Sequence, residues 1–203
     1  LDTDERRRFA QVSHEYLIEQ LQYKEDETPK INHKINFNHP VKELIWVMPN
    51  KEYGAKYNSS SPNIDATNNS DHRNDYFNYN AAESSNFVEY ISGQKSYESF
   101  GKCSIKLNGH VRFKERDASY FRICQPQQVG HKIPSKHIYM YSFALNPEEH
   151  QPSGTCNFSR LDNAHISFDS LNNNDSKYYI NVYALNYNVL RIMSGMGGLA
   201  YSN

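Results

Sequence analysis

Alternation of apolar and polar residues with a period of two constrains this chain more than any other feature. Cys103, Ile105, Leu107, Gly109, Val111 and Phe113 alternate with Lys102, Ser104, Lys106, Asn108, His110 and Arg112. Successive side chains of a strand point to opposite faces, so this run gives one core face and one wet face, a pattern that a helix would smear around its axis. Ile31, His33, Ile35 and Phe37 repeat it against Asn32, Lys34 and Asn36. Leu44 to Met48 is a short continuous apolar run that reads as a strand covered on both faces. Further strand candidates fall at about 74–80, 137–146, 164–169 and 178–193, the last long enough for two strands or one with a bend. Roughly eight short strands with turn residues between them predict an antiparallel sandwich. Sixteen Tyr and ten Phe suit its pleated, half-buried surfaces. The register puts Trp46, Ile105, Leu107, Val111, Ile138, Ile166 and Val182 in the core.

The first segment follows a different period. Asp2 with Glu5 forms a capping box, each side chain taking up a free backbone N–H at a helix start. Phe9, Val12, Tyr16, Leu17 and Leu21 then recur near every 3.6 residues, predicting one amphipathic helix from about residue 3 to 23. Pro29 closes the segment. The organisation expected is a linker helix and connection over 1–29, then one domain over 30–203. Within that domain, 50–86 reads as a long polar insertion loop, 146–154 as a second loop fixed by Pro147, Pro152 and Gly154, and 171–177 as a short Asn-rich third.

Composition narrows the function classes. The 203 residues suffice for one core and are too few for two full sandwiches of this kind. A formal charge of −1, with Arg6-Arg7-Arg8 as the only block of positive charge, provides no field for phosphate, so direct nucleic-acid binding is not expected. No apolar run approaches the roughly 18 residues of a spanning helix, and the N-terminus lacks signal-peptide chemistry, so direct membrane insertion is not expected either. Cys103, Cys124 and Cys156 lack the paired spacing of a zinc or redox site and read as three buried, reduced thiols. Sequons at Asn58, Asn68, Asn157 and Asn174 carry weight only in a glycosylating compartment.

Catalytic chemistry is hard to find. The nine histidines include no His-x-His pair, and neither a GxSxG elbow nor a phosphate-binding loop occurs. Glu148-Glu149-His150 sets two carboxylates beside an imidazole, but it lies between prolines, where charged residues solvate a loop or meet another subunit. Glu115-Arg116-Asp117 reads as a solvated helical turn or an ionic latch at a subunit contact. Arg160 with Asp162 poses the same choice between a solvated turn and an ionic contact, the latter as a bidentate pair bracing the adjacent loop. We therefore expect no catalytic, cofactor-binding or metal-binding residues. Were a metal to bind, its ligands would be found among His131, His137, His150 and Cys156.

Four segments carry a family resemblance: Phe37 to Val47, Leu107 to Phe113, the twenty residues Tyr141 to Arg160, and Tyr183 to Arg191. In order and spacing they are similar to the C-terminal half of the major capsid proteins of nucleocytoplasmic large DNA viruses. Val111 departs from that pattern, standing where a polar residue is usual. The resemblance implies the second of two jelly rolls, a homotrimeric pseudo-hexagonal capsomer, and contacts with neighbouring capsomers and minor capsid proteins. It also implies a place in the virion capsid after assembly in host cytoplasm. A start at Leu1 without an initiator methionine agrees with a piece of a longer protein. The alternative is a lectin-like jelly-roll module whose exposed tyrosines stack on carbohydrate.

Overall fold

A computed structural model describes residues 2–27, 29–49, 77, 79, 98–171 and 178–201. Apart from residues 77 and 79, the expected insertion loop at 50–86 and the strand candidate at 74–80 lie outside the described residues, as does most of the loop at 171–177. Helix α1 spans Thr3–Gln11 and is followed by strands β1 (His14–Asp26), β2 (Asn32–Ile35), β3 (Pro40–Val47), β4 (Lys102–Leu107), β5 (His110–Val111) and β6 (Arg116–Asp117). A π-helical turn at Tyr120–Cys124 runs into a one-turn helix α2, Gln125–Gln128. The remaining strands are β7 (Tyr139–Ser142), β8 (Cys156–Asn157), β9 (Ala164–Phe168), β10 (Ile180–Met193) and β11 (Met196–Leu199), with a 3-10 turn at Phe158–Arg160.

The strands form two antiparallel sheets. One runs β1-β10-β3-β7, with β11 added to β10 and β8 to β3; the other runs β2-β9-β4-β5, with β6 added to β4. Among the described strands the chain crosses between sheets at six of the ten connections, and its first and last long strands lie side by side. This is the jelly-roll order. The space between the sheets is aromatic at its centre. Trp46 packs its ring 5.4 Å from Phe121 and 6.1 Å from Tyr139, and Phe100 sits 4.7 Å from Tyr139 and 4.9 Å from Phe168. Trp46, Ile105, Ile166 and Val182 are fully buried, as the alternation predicts.

Three expectations fail, each for a physical reason. The helix stops at Gln11, although its Asp2–Glu5 capping box forms. Residues 14–26 are strand, paired along their whole length with β10. Leu17 and Leu21, four apart, share a face in a helix and in a strand alike, so their spacing could not choose between the two, and the cross-strand partner decided it. The long alternation at 102–113 is a hairpin, because Asn108 and Gly109 adopt φ of 49° and 82°, both positive as a type I′ turn requires. Val111 then lies opposite Lys106 and is 55% exposed, not core. Ile138 is half-buried, lining a hollow with Ile45, Pro126, Pro134 and Met140.

Smaller corrections concern the thiols and the charged turn. Only Cys103 is buried, burial pushing its thiol pKa well up, while Cys156 is half-buried and Cys124 exposed. Arg116 and Asp117 form a short strand beside Cys103 and Lys102, not a helical turn. The Arg116 guanidinium sits 5.5 Å from the Tyr120 ring centroid.

Candidate functional site

The most heavily constructed surface feature starts from a single extra residue. Leu185 and Asn186 are consecutive on β10, yet they face Glu43 and Val41 on β3, leaving Lys42 over. Such a bulge breaks the ladder and re-aims the groups at the extra residue. The Lys42 carbonyl accepts from the Phe143 and Ala144 N–H groups at 2.8 and 3.3 Å. Its ammonium, 2% exposed as a residue, donates to Glu19 Oε1 on β1 at 2.7 Å and to the Pro147 carbonyl at 2.6 Å. It also lies 5.6 Å from the Tyr187 ring centroid. A buried ammonium needs such partners, since an unpaired one would cost several kcal/mol.

The next residue clamps the same loop. Glu43 Oε2 accepts from His131 Nε2 at 3.0 Å, and the other ring nitrogen, Nδ1, lies 2.6 Å from Glu148 Oε1. His131 is delivered by α2, whose end passes through Gly130 at φ 85° while the His131 N–H returns to the Pro126 carbonyl at 2.9 Å. Farther along, Pro40 and Val41 pair with Asn157 and Cys156. The His39 N–H donates to Ser159 Oγ at 2.8 Å, and its carbonyl accepts from the Phe158 N–H at 3.0 Å. The loop from Phe143 to Arg160 is thus stitched to β3 along its course, and it presents Leu145 to solvent at 77% exposure. Gly154 permits the tight return, because a Cβ there would stand 2.7 Å from the Phe143 carbonyl oxygen.

A second surface is the margin of the six-stranded sheet. Strands β1 and β10 run 13 and 14 residues, while among the described residues no strand of the opposing sheet exceeds six. Val182 and Ala184 turn to the core, so Tyr183 and Leu185 and their β1 partners Tyr23 and Leu21 turn to the outer face of the sheet. Leu17, Leu21 and Tyr23 share one face of β1, opposite Val189, Leu185 and Tyr183, and all three are exposed. Met193, Met196 and Leu199 extend the apolar margin through the β10–β11 hairpin. Exposed apolar area gathered in this way marks interaction surfaces more often than isolated residues do.

A third polar group is internal. Arg122 donates from Nε and Nη2 to Glu98 Oε1, at 2.9 and 2.5 Å, and the Tyr139 hydroxyl donates to Glu98 Oε2 at 2.9 Å. The same hydroxyl accepts from the Ser99 N–H at 3.0 Å. Burial raises the pKa of the Tyr139 phenol and lowers that of the His137 imidazole, which favours the neutral form of each. The arrangement pins the chain where it rejoins the sheet.

The structure separates several residues that the sequence set together. Glu148 bonds His131, while Glu149 and His150 face solvent. Arg160 and Asp162 are both exposed, and the following segment is braced instead by Asn108, whose Oδ1 accepts from the Asp162 and Asn163 N–H groups at 3.0 and 3.1 Å. Among the described residues no group of three or more His, Cys, Asp or Glu is placed to hold a metal ion, and His131, His137, His150 and Cys156 do not form one. Sequence reasoning missed Lys42, Glu43 and Glu19, and singled out His131 only as a ligand for a metal that was not expected. The signal available was a Lys-Glu pair in the middle of an otherwise apolar strand.

What these surfaces belong to is decided by comparison. The family model described as large eukaryotic DNA virus major capsid protein matches residues 5–198. The chain belongs to this capsid protein family. It is 43% identical over 226 residues to the major capsid protein of Pyramimonas orientalis virus, covering all of this chain and 47% of that protein. It is 39% identical over 236 residues to the major capsid protein of Paramecium bursaria Chlorella virus 1, covering all of this chain and 52% of that one. Among solved structures, the quasi-atomic PBCV-1 virus capsid superposes with a TM-score of 0.71 at 38% identity, over all of this chain and 55% of the capsid chain. The Faustovirus major capsid protein, at TM-score 0.60 and 14% identity, shares the fold. The chain spans about half the length of these capsid relatives.

Proposed function

We propose that this chain is the second jelly roll of a double jelly-roll major capsid protein and serves as a structural block of the outer shell of a large icosahedral double-stranded DNA virus. The observation that carries this reading is the family match over 5–198, together with a jelly-roll strand order that superposes on an assembled capsid. In this role three copies of the complete protein form a pseudo-hexagonal capsomer, which meets neighbouring capsomers and minor capsid proteins in the virion after assembly in host cytoplasm. Closed three-fold symmetry makes the subunit contact heterologous, one patch of each copy meeting a different patch of the next. The Phe143–Arg160 loop and the β1 margin are the two patches. Helix α1, with no buried residue of its own, serves as the linker to the preceding jelly roll.

The role is structural and not enzymatic, and the internal polar groups fit it, because Glu98 is spent on Arg122, Lys42 on Glu19 and Glu43 on His131. The test is the mass of the complete protein by analytical ultracentrifugation, followed by electron microscopy of the particles. A trimer with Leu21 and the 143–160 loop at its contacts is expected. A stable monomer at micromolar concentration overturns the reading.

A further inference from the structure

We propose that His131 is a charge-dependent latch, fastening the tip of the Phe143–Arg160 loop to the sheet when its ring carries two protons and releasing the tip when it carries one. Nε2 lies 3.0 Å from Glu43 Oε2 and Nδ1 lies 2.6 Å from Glu148 Oε1. A carboxylate only accepts hydrogen bonds and a neutral imidazole has a single N–H, so the imidazolium alone satisfies both contacts. Loss of one proton to solvent leaves a ring lone pair facing a carboxylate.

Burial decides which contact yields. The Glu43 side chain is 5% exposed and that of Glu148 66%. Glu148 can exchange the ring for water, whereas Glu43 would be left as an unpaired buried charge. The neutral ring therefore keeps its N–H on Glu43, and Glu148 swings free.

The groups around the ring support this division. Lys132 is its neighbour on the same segment, and Lys42, next to Glu43 on β3, is held by Glu19 and the Pro147 carbonyl. Strand β7 presents Ser142 opposite Glu43 and Met140 opposite Ile45, β10 presents Leu185 opposite Glu43, and α2 presents Pro126, all uncharged. On the loop, Glu149 and His150 are exposed. His131 thus supplies the positive charge between the two carboxylates. Since Lys42 keeps its hold on Pro147, release is confined to the residues after it, up to the Asn146–Ser153 hydrogen bond that closes the tip. The latch stands whether or not the loop meets another subunit.

The test is amide hydrogen exchange on the full chain from about pH 5 to 8, the range in which an imidazole changes charge, corrected for intrinsic rates. Exchange over 148–151 should accelerate roughly ten-fold as pH rises, the loss of one charge-assisted hydrogen bond, while peptides from β3 and β10 stay constant. In Glu148→Gln the step should vanish, because an amide can meet either form of the ring. A flat profile in the unmodified protein, or the same step surviving in both Glu148→Gln and His131→Gln, overturns the proposal. The β3 and β10 peptides report in the same run whether each variant has folded. Should His131→Gln not fold, Glu148→Gln, altered at an exposed position, decides alone.

Discussion

Lys42 on β3 reaches past the Tyr187 ring of β10 to meet Glu19 on β1 at 2.7 Å, so one ion pair spans three strands of the sheet. The geometry follows from the bulge, which turns Lys42 out of the ladder. Removing the ammonium strips the Pro147 carbonyl and Glu19 of their donor together. Lys42→Met is expected to lower stability by about 2–4 kcal/mol, and Glu19→Gln, with its half-exposed partner side, by about 1 kcal/mol. Urea unfolding of the two variants checks this. Equal losses would mean that the pair, and not the loop anchor, carries the energy.

His33 sets an acid limit. Burial pushes its imidazole pKa down to about 4, opposed by Asp26, whose carboxylate lies 3.3 Å away. The unfolded ring takes up a proton near pH 6.5 while the folded one stays neutral, so stability is full above that value and falls as pH drops toward 4. The loss should approach about 3 kcal/mol. Thermal unfolding between these pH values, compared with His33→Phe, is the check; the variant should lose most of the slope.

Two glycines should respond differently to a methyl group. Gly154 sits at φ 144° with the Phe143 carbonyl oxygen 2.7 Å from an added Cβ, whereas Gly109 at φ 82° meets nothing within 4 Å. Gly154→Ala should cost about 2–3 kcal/mol and Gly109→Ala about 1 kcal/mol, the latter from backbone conformation alone. Denaturant midpoints measured side by side would expose any reversal of this order.

The β1 margin should matter for association and little for folding. Leu21 is 60% exposed, and its replacement by Glu removes no core contact. Leu21→Glu is expected to leave unfolding within about 0.5 kcal/mol of the native value while weakening self-association of the complete protein. Light scattering across a concentration series separates the two effects.

Much of the sandwich was legible because period-two alternation is local. His33, Ile35, Ile105, Ile166 and Val182 fall on the inner face as read. The hairpin at Asn108-Gly109 was also written locally, and was overlooked because the alternation ran unbroken across it. Residues 14–26 were misread because Leu17 and Leu21 satisfy both periods, and only the 13-residue pairing with β10 resolves them. The clamps on the loop were out of reach for another reason. Lys42 and Pro147 are 105 residues apart, and the bulge that joins them depends on a strand register that no single segment encodes.

The pinned ends on either side of the segment between Pro49 and Glu98 have a practical meaning. The Pro49 carbonyl accepts from the Tyr179 N–H at 2.9 Å, and Ser99 and Glu98 are tied to Tyr139 and Arg122. Each end is held by the sheets. For loops in general, doubling the length between two fixed ends adds only about 0.6 kcal/mol in closure entropy. The sandwich therefore works as a socket with two fixed terminals, into which peptides of different length and sequence can be wired while the surfaces that join one block to the next keep their shape.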